Sequence, residues 1–179
     1  MTSRYFSKDI TEFIGHLAHH KVRYVIVGGE AVIYHGLARN TGDVDFFYDP
    51  TPANAGRLFR ALKDFWSGAI PGVNRSEELL EPRAVFQFGL PPHRIDIMNS
   101  ISGVSFEAAW NTKIVDKIVG DSDTVPVYFA GISVLIENKR SVGRLKDLED
   151  VRYLTAAAEL AKKAIRPPRK QPSGGRKSP

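Results

Sequence analysis

Apolar residues in the first third of the chain switch between helical spacing and short β-branched runs. From Ile10 to Leu17 they recur at i, i+3, i+4 and i+7, which is typical of one buried face of a helix. A β-branched run then ends at Gly28-Gly29, as in a buried strand followed by a tight turn. Thr51-Pro52 supplies the N-cap and the first residue of a later helix. These signals predict a helix over 7–20, strands over 22–27 and 43–48, a short helix over 30–35, and a helix from 52 to about 66.

The remainder of the chain carries shorter apolar runs. The turn Gly89-Leu90-Pro91-Pro92 separates two of them, which is typical of a hairpin. Near the C-terminal end, an apolar stripe at helical spacing predicts a helix whose core face carries Leu148, Val151, Leu154 and Leu160. The predicted elements are a loop over 67–82, strands over 85–88, 94–98, 114–119 and 125–130, a helical turn over 105–110, and helices over 132–140 and 145–163.

This order of elements determines the predicted fold class. Helices and strands alternate first, two strands then follow each other, and helices close the sequence. Such an order predicts an α/β (α+β) domain built on a small mixed β-sheet flanked by helices. We expect one domain over 1–165, with a core of about 22–130 and C-terminal helices over 131–165. Residues 166–179 are rich in Pro, Gly, Lys and Arg, which predicts a disordered basic tail.

Charge is distributed unevenly along this chain. Its 179 residues include 25 Lys and Arg against 20 Asp and Glu, a formal net charge of +5. Seven of the basic residues and none of the acidic ones lie in 162–179, so residues 1–161 hold 18 against 20, a net charge of −2. A basic nucleic-acid-binding domain is therefore disfavoured, and the tail is as typical of a solubility segment as of an electrostatic contact to nucleic acid.

Composition excludes several other classes of protein. The chain has no cysteine, which rules out disulfide frameworks, Cys-ligated zinc, Fe–S clusters and thiol catalysis. No apolar run approaches the ~18–20 residues of a membrane span, and residues 1–10 lack the apolar stretch of a signal peptide. We therefore expect a cytoplasmic protein with no membrane partner.

Two closely spaced carboxylates are the first indication of chemistry. Asp43 and Asp45 lie two residues apart on a predicted strand, so both side chains point to the same face, and thirteen residues separate Asp43 from Gly28-Gly29. Two adjacent carboxylates repel and need a compensating cation. Mg²⁺, which prefers carboxylate oxygens together with substrate phosphates and water, suits such a pair.

A third carboxylate lies on a later predicted strand. Asp96 is flanked by Ile95 and Ile97, so it occupies the polar face of an otherwise apolar strand. Three strand-borne carboxylates that converge could hold two Mg²⁺ ions roughly 3.5–4 Å apart, the arrangement for in-line nucleotidyl transfer. Asp96 would then be the general base on the attacking hydroxyl. Gly28-Gly29 would offer backbone N–H groups to the phosphates.

Together these motifs resemble a known superfamily. An apolar strand, Gly-Gly, a spacer, Asp-x-Asp and a later strand Asp are similar to the DNA polymerase beta-like nucleotidyltransferases over about 24–98. The stretch Arg39-Asn40-Thr41-Gly42-Asp43-Val44-Asp45 resembles the Arg-x-Thr-x-Asp-x-Asp motif of bacterial abortive-infection-type nucleotidyltransferases, many of which are toxins of toxin–antitoxin pairs. Segments 132–139 and 144–150 resemble the helical Lys motif and the Arg-x-Lys-Asp-x-x-Asp motif of that group.

This resemblance implies a nucleotidyltransferase fold, an NTP substrate and a role for each matched residue. Asp43, Asp45 and Asp96 would be the catalytic residues and would bind two Mg²⁺ ions, with Mn²⁺ as an alternative. The nucleotide-binding residues would be Gly28 and Gly29 at the triphosphate, Lys139 at the phosphates, Asp147 as an ordering residue, and Arg39, Thr41 and Arg144.

Acceptor and activity stay open at the level of sequence. The resemblance favours an RNA acceptor such as a tRNA 3′ end, and a cognate antitoxin as partner. A protein hydroxyl or a small molecule such as an antibiotic is the alternative acceptor. Gly29 stands where many active members carry Ser, so a catalytically degenerate module that binds nucleotide or a protein is a second hypothesis.

Three groups of residues also have plainer interpretations. His16, His19 and His20 have a spacing that could bind zinc, but a solvated helix face is favoured. Asp147 and Asp150 could be surface partners of Arg144 or Arg152 at helical spacing. The aromatic residues Phe86, Phe88, Trp66 and Trp110 are expected to belong to the core rather than to stack on bases.

Overall fold

The computed structural model of the chain describes residues 6–38, 40–119 and 124–165. Arg39 and the predicted tail, 166–179, lie outside the described residues. The elements in chain order are α1 (Lys8–His19), β1 (Tyr24–Val27), α2 (Gly28–Tyr34), β2 (Asp43–Tyr48), α3 (Pro52–Phe65), a 3₁₀ helix (Ser76–Leu80), β3 (Val85–Phe88), β4 (Arg94–Met98), α4 (Phe106–Asn111), β5 (Ile114–Val119), β6 (Thr124–Phe129), α5 (Ile132–Val142) and α6 (Leu145–Ile165).

All six described strands form one mixed sheet in the order β3-β4-β2-β1-β6-β5. β2 runs parallel to β4 and β1 runs parallel to β6, whereas the pairs β1–β2, β3–β4 and β5–β6 are antiparallel. β3 therefore lies at one edge of the sheet, and β4 lies between β3 and β2. The predicted fold class, a mixed sheet flanked by helices, is confirmed.

Helices pack on both faces of this sheet. α1 begins at its N-cap Ser7, whose side chain accepts a hydrogen bond from the Ile10 backbone N–H at 3.4 Å. Phe13 of α1 packs edge-on against Phe46 of β2, with ring centroids 5.1 Å apart. On the opposite face, Phe47 contacts Phe106 of α4 at 5.3 Å. Each such aromatic pair contributes roughly 0.5–1.5 kcal/mol beyond the area that it buries.

Two element boundaries differ from the sequence prediction for a local reason. β1 begins at Tyr24 instead of 22, because the Val22 backbone N–H donates to the Leu17 carbonyl at 2.9 Å and so closes the end of α1. α2 begins directly at Gly28, so the turn after β1 is itself the first turn of a helix. Gly28 has φ +64°, in the left-handed region that favours glycine.

The expected core stripe of α6 is wrong in part. Leu154 is fully buried, but Leu148 is 46% exposed and Leu160 is 67% exposed. α6 packs chiefly against α5, which at about 1.5 Å per residue is half its length, so the later turns of α6 extend past their support. Leu148 lies in the first turn of α6 and is nevertheless partly exposed, so helical spacing alone did not identify the buried side.

The aromatic residues for which the core was expected do pack against it. Phe88 is buried, and Phe86, Trp66 and Trp110 are partly buried against the same cluster. Among the described helices, none combines the length and the apolar character that a membrane crossing requires.

Candidate active site

Strand register brings the three predicted catalytic carboxylates to one face of the sheet. In the parallel pair β2–β4, Asp43 lies opposite Arg94 and Asp45 lies opposite Asp96. Residues two apart on a strand share a face, so these four side chains form one polar patch. The intervening residues Val44 and Ile95 are buried on the other face. The patch therefore consists of three carboxylates and one guanidinium.

Arg94 links two of these carboxylates. Its Nη2 donates to Asp43 Oδ2 at 2.5 Å and to Asp96 Oδ2 at 2.9 Å, and its Nε donates to Asp96 Oδ1 at 2.8 Å. Such forked, charge-assisted contacts are among the stronger hydrogen bonds in proteins. The sequence prediction did not include Arg94, although its place two residues before Asp96 was a signal that both side chains share a face.

Further side chains orient the carboxylates from the edges of the patch. Gln87 lies opposite Asp96 in the β3–β4 pair, and its Nε2 donates to Asp96 Oδ2 at 2.9 Å. The Thr41 hydroxyl donates to Asp43 Oδ1 at 3.0 Å. Thr41 was predicted as a nucleotide-binding residue, and in this structure it contacts a carboxylate. Gln87 was not predicted, because only the strand register places it beside Asp96.

Asp45 is the carboxylate at the centre of the patch. Burial, followed by the charges of Asp43 and Asp96, raises its pKa from 3.8 to about 7, although Lys139 and Arg94 act in the opposite direction. The carboxylate lies against the backbone of Gly28, where an added Cβ would overlap it. Glycine is thus required at this position both by its φ and by the space that Asp45 occupies.

A second ion network lies between α5 and α6. Lys139 Nζ is 3.0 Å from Asp147 Oδ1 and 2.9 Å from Asp150 Oδ2, and all three side chains are buried. Although burial raises the pKa of Asp147, the hydrogen bond and charge of Lys139 hold it below its usual value. The interpretation of these two aspartates as surface partners is wrong, because each is only 2% exposed.

The start of α6 explains how this network is built. Gly143 ends α5 in the left-handed conformation, which turns the chain sharply into α6. The Arg144 backbone N–H then donates to Asp147 Oδ2 at 3.2 Å, as a capping residue three positions into a helix accepts from the N-cap. Asp150 lies one turn further on and was not predicted as a site residue. Its spacing from Asp147 within the matched motif was the available signal.

One open cleft of about 910 Å³ is bordered by residues of both networks. Every described residue of the predicted set borders it: Gly28, Gly29, Thr41, Asp43, Asp45, Asp96, Lys139, Arg144 and Asp147. Arg39 lies outside the described residues, so its predicted phosphate contact stays a prediction. Arg83 and Lys146 line the same cleft and add positive charge to its walls.

The donor chemistry of the patch fits a hard divalent cation. Three carboxylates on adjoining strands offer the oxygen ligands that Mg²⁺ prefers. In the described part of the chain, however, no three His, Asp or Glu side chains already stand in a metal-holding arrangement. The guanidinium of Arg94 engages Asp43 and Asp96, so in this structure those two carboxylates already share a cation of the chain itself.

Two of the three histidines at the end of α1, His16 and the capping residue His20, contact α3. His20 Nε2 pairs with Asp64 Oδ2 of α3 at 2.5 Å, and the His16 ring packs edge-on against Phe65. These contacts attach α1 to α3, at a distance from the cleft in the fold.

Comparison with known proteins gives one informative match. Residues 7–163 match a protein family described as nucleotidyltransferase of unknown function (DUF6036). The matched range includes every residue that lines the cleft. Among curated proteins, none matches this chain.

Proposed function

The chain belongs to that family of nucleotidyltransferases, and on this basis we propose that it moves a nucleoside monophosphate from an NTP to a hydroxyl acceptor and releases pyrophosphate. The observation that carries the proposal is the alignment of Asp43, Asp45 and Asp96 on one face of adjacent strands. They lie in a cleft that Gly28-Gly29 borders, which is large enough for a nucleotide.

We propose that Asp43, Asp45 and Asp96 bind Mg²⁺ together with the triphosphate. When bound, Mg²⁺ would neutralise the charge of the reacting phosphates and of the leaving pyrophosphate. The supporting observation is the environment of Asp45, whose pKa is raised first by burial and then by the charges of Asp43 and Asp96, so the ionised carboxylate is not fully compensated by Lys139 and Arg94. A divalent cation would supply the missing compensation.

In the reaction, Asp96 would accept the proton of the acceptor hydroxyl. The acceptor oxygen would form a bond to the α-phosphorus while the bond between the α-phosphorus and the bridging oxygen breaks, and pyrophosphate leaves. The Gln87 amide donates to Asp96 Oδ2 and would keep the carboxylate oriented if the guanidinium of Arg94 left. Geometry of this kind is what a general base requires.

Lys139 would make a directed contact to the nucleotide phosphates. Its two aspartate partners fix the ammonium group at the wall of the cleft. Arg144, which is exposed at the same wall, would be the more mobile phosphate contact. This assignment keeps the roles of the predicted residues and adds Asp150 as a second residue that positions Lys139.

We propose an RNA 3′ end, such as that of tRNA, as acceptor, with the protein acting as a toxin that a cognate antitoxin controls. Support comes from the resemblance of the Arg39–Asp45 and 144–150 motifs to abortive-infection-type enzymes. Arg83 and Lys146 would contribute local positive charge for an RNA backbone. Such local charge is needed because residues 1–161 as a whole carry a net charge of −2.

A module that binds nucleotide without transferring it is the second candidate. Two observations favour it: Gly29 stands where many active relatives carry Ser, and Arg94 occupies two of the three carboxylates. Nucleotide binding with no label transfer to any acceptor pool would support this candidate.

The decisive experiment is transfer of label from each α-labelled NTP, with Mg²⁺, to separate pools of RNA, protein and small molecules. We expect labelled RNA with the unaltered chain, none with Asp96→Asn, and full labelling with Asp9→Asn, an exposed exchange of the same kind in α1. A melting curve of each variant separates loss of chemistry from loss of folding. Labelling that survives Asp96→Asn would overturn the proposed site.

A further inference from the structure

Arg94 occupies the position in which a metal ion would be expected. Its guanidinium lies between Asp43 and Asp96, the outer two of the three carboxylates, and its side chain is 28% exposed at the cleft. A guanidinium presents several N–H donors in a rigid fork, which allows one group to serve two carboxylates. In this arrangement the protein supplies its own counter-cation.

We propose that Arg94 and the divalent cation compete for the same carboxylates, so that Arg94 sets the metal affinity of the site. The proposal rests on the proposed function, because it assumes that these carboxylates are the metal ligands. It goes beyond that function by assigning a role to a residue that neither the matched motifs nor the family description includes.

Competition follows from the hydrogen bonds of Asp96. Its Oδ2 accepts from both Arg94 Nη2 and Gln87 Nε2, each at 2.9 Å, and its Oδ1 accepts from Arg94 Nε at 2.8 Å. A carboxylate oxygen has two lone pairs, so Oδ2 is fully used. A metal ion could take that oxygen only if one of these donors leaves.

Electrostatic repulsion favours release of Arg94 from the carboxylates over simultaneous binding of Arg94 and the divalent cation. A guanidinium held against the ligands of a divalent cation would be repelled by that cation at close range. Displacement from Asp43 and Asp96 would leave its charge in the cleft, where the phosphates of a nucleotide offer another forked partner. Metal binding and release of Arg94 are therefore expected to be linked.

Binding of Mn²⁺ measured without turnover tests this linkage. Free Mn²⁺ is followed by its paramagnetic resonance signal while it is titrated into the full chain, with no nucleotide present. Arg94→Gln removes the competing charge, and Arg83→Gln is the matched control, because it removes one guanidinium from the same cleft without touching the carboxylates. Asp45→Asn in the Arg94→Gln background shows whether any gain belongs to this site.

We expect Arg94→Gln to tighten Mn²⁺ binding by about tenfold, within the ordinary range of coupling between two sites. Arg83→Gln should change Mn²⁺ affinity by less than about threefold, since the charge of a side chain that makes no ion pair with the carboxylates is screened by water and salt. Adding Asp45→Asn to Arg94→Gln should abolish this gain in Mn²⁺ affinity. Arg94→Lys, which keeps the charge but loses the fork, should give a smaller gain in the same direction.

Two results overturn the proposal, and they are distinguishable. If the unaltered chain binds Mn²⁺ and Arg94→Gln binds it no more tightly, competition is refuted while the metal site stands. If no variant binds Mn²⁺, even with a non-hydrolysable NTP analogue present, the metal site of the proposed function fails as well. The rise in melting temperature on adding Mn²⁺, which should be larger for Arg94→Gln, gives the same comparison if the variant is unstable in the absence of metal.

Discussion

Replacing Asp45 with Asn should make the protein more stable at neutral pH. The substitution keeps the shape of the side chain but removes a half-buried charge that lies beside Asp43 and Asp96. Loss of a carboxylate from a folded protein ordinarily costs stability. Here the reverse is expected, because the folded environment disfavours the charged form.

The magnitude follows from the difference between the folded and unfolded pKa of Asp45. The folded value of about 7 lies roughly three above the ordinary 3.8, so between these two pH values the folded chain holds a proton that the unfolded chain has lost. The free energy of unfolding therefore falls as pH rises through this window. At 1.36 kcal/mol for each pKa unit, the total loss is about 4 kcal/mol above pH 7.

Urea unfolding followed by tryptophan fluorescence, with a chelator present, tests this expectation. Asp45→Asn cannot ionise, so its advantage over the unaltered chain should grow by roughly 3 kcal/mol between pH 5 and pH 8. Asp9→Asn, an exposed exchange in the first turn of α1, is the control and should change stability by less than about 1 kcal/mol at either pH.

Two results would refute this reasoning. If Asp45→Asn is no more stable than the unaltered chain at pH 8, the carboxylate is already compensated and the patch needs no cation. If its advantage is the same at pH 5 and pH 8, the effect arises from packing and not from ionisation.

Two further predictions concern the walls of the cleft. Gly28→Ala should cost about 2–5 kcal/mol in urea unfolding, because its Cβ adds overlap with Asp45 to the strain of a left-handed backbone. Gly68→Ala is the control, because Gly68 has φ +102° and open space where a Cβ would stand. It should lose only the stability that backbone strain costs, and equal losses of stability for both variants would contradict the overlap at Gly28. Lys139→Met should cost about 3–5 kcal/mol, because it removes the buried cation that pairs with the carboxylates of Asp147 and Asp150. Lys162→Met, which removes an exposed lysine paired with one glutamate, should cost less than about 1 kcal/mol, and a similar cost for both lysines would refute the buried network.

Much of the fold could be predicted from local sequence signals. β2, β3 and β4 have the predicted bounds, because each is a short apolar run between clear turn residues. The Thr51-Pro52 signal likewise identified the start of α3, and apolar spacing placed α1 to within one residue at each end. These features depend on residues close together in the chain, which is where sequence patterns are informative.

Arg94 shows why the site itself could be predicted only in part. Which strand pairs with which is decided by the packing of the whole domain, and β2 pairs with β4 rather than with β3. That choice, together with a register that sets Asp43 opposite Arg94, creates the ion network. The sequence indicated three aspartates that need a cation, but not that a residue of the chain itself already supplies one.

Two cations of the cleft, Lys139 and Arg94, are held by carboxylates in ways that predict different behaviour. Lys139 is buried between two fixed carboxylates, and two of its three donors are directed at them, so one donor is left for a phosphate. The group of three carries a net charge of −1 when ionised, so Lys139 would give a phosphate a directed hydrogen bond but little net attraction. Arg94 is partly exposed, and its partners are the carboxylates that a metal would need. Lys139 should therefore remain in place throughout a reaction, whereas Arg94 must move. The negative charge of a triphosphate would then be neutralised by metal ions and by the released guanidinium of Arg94.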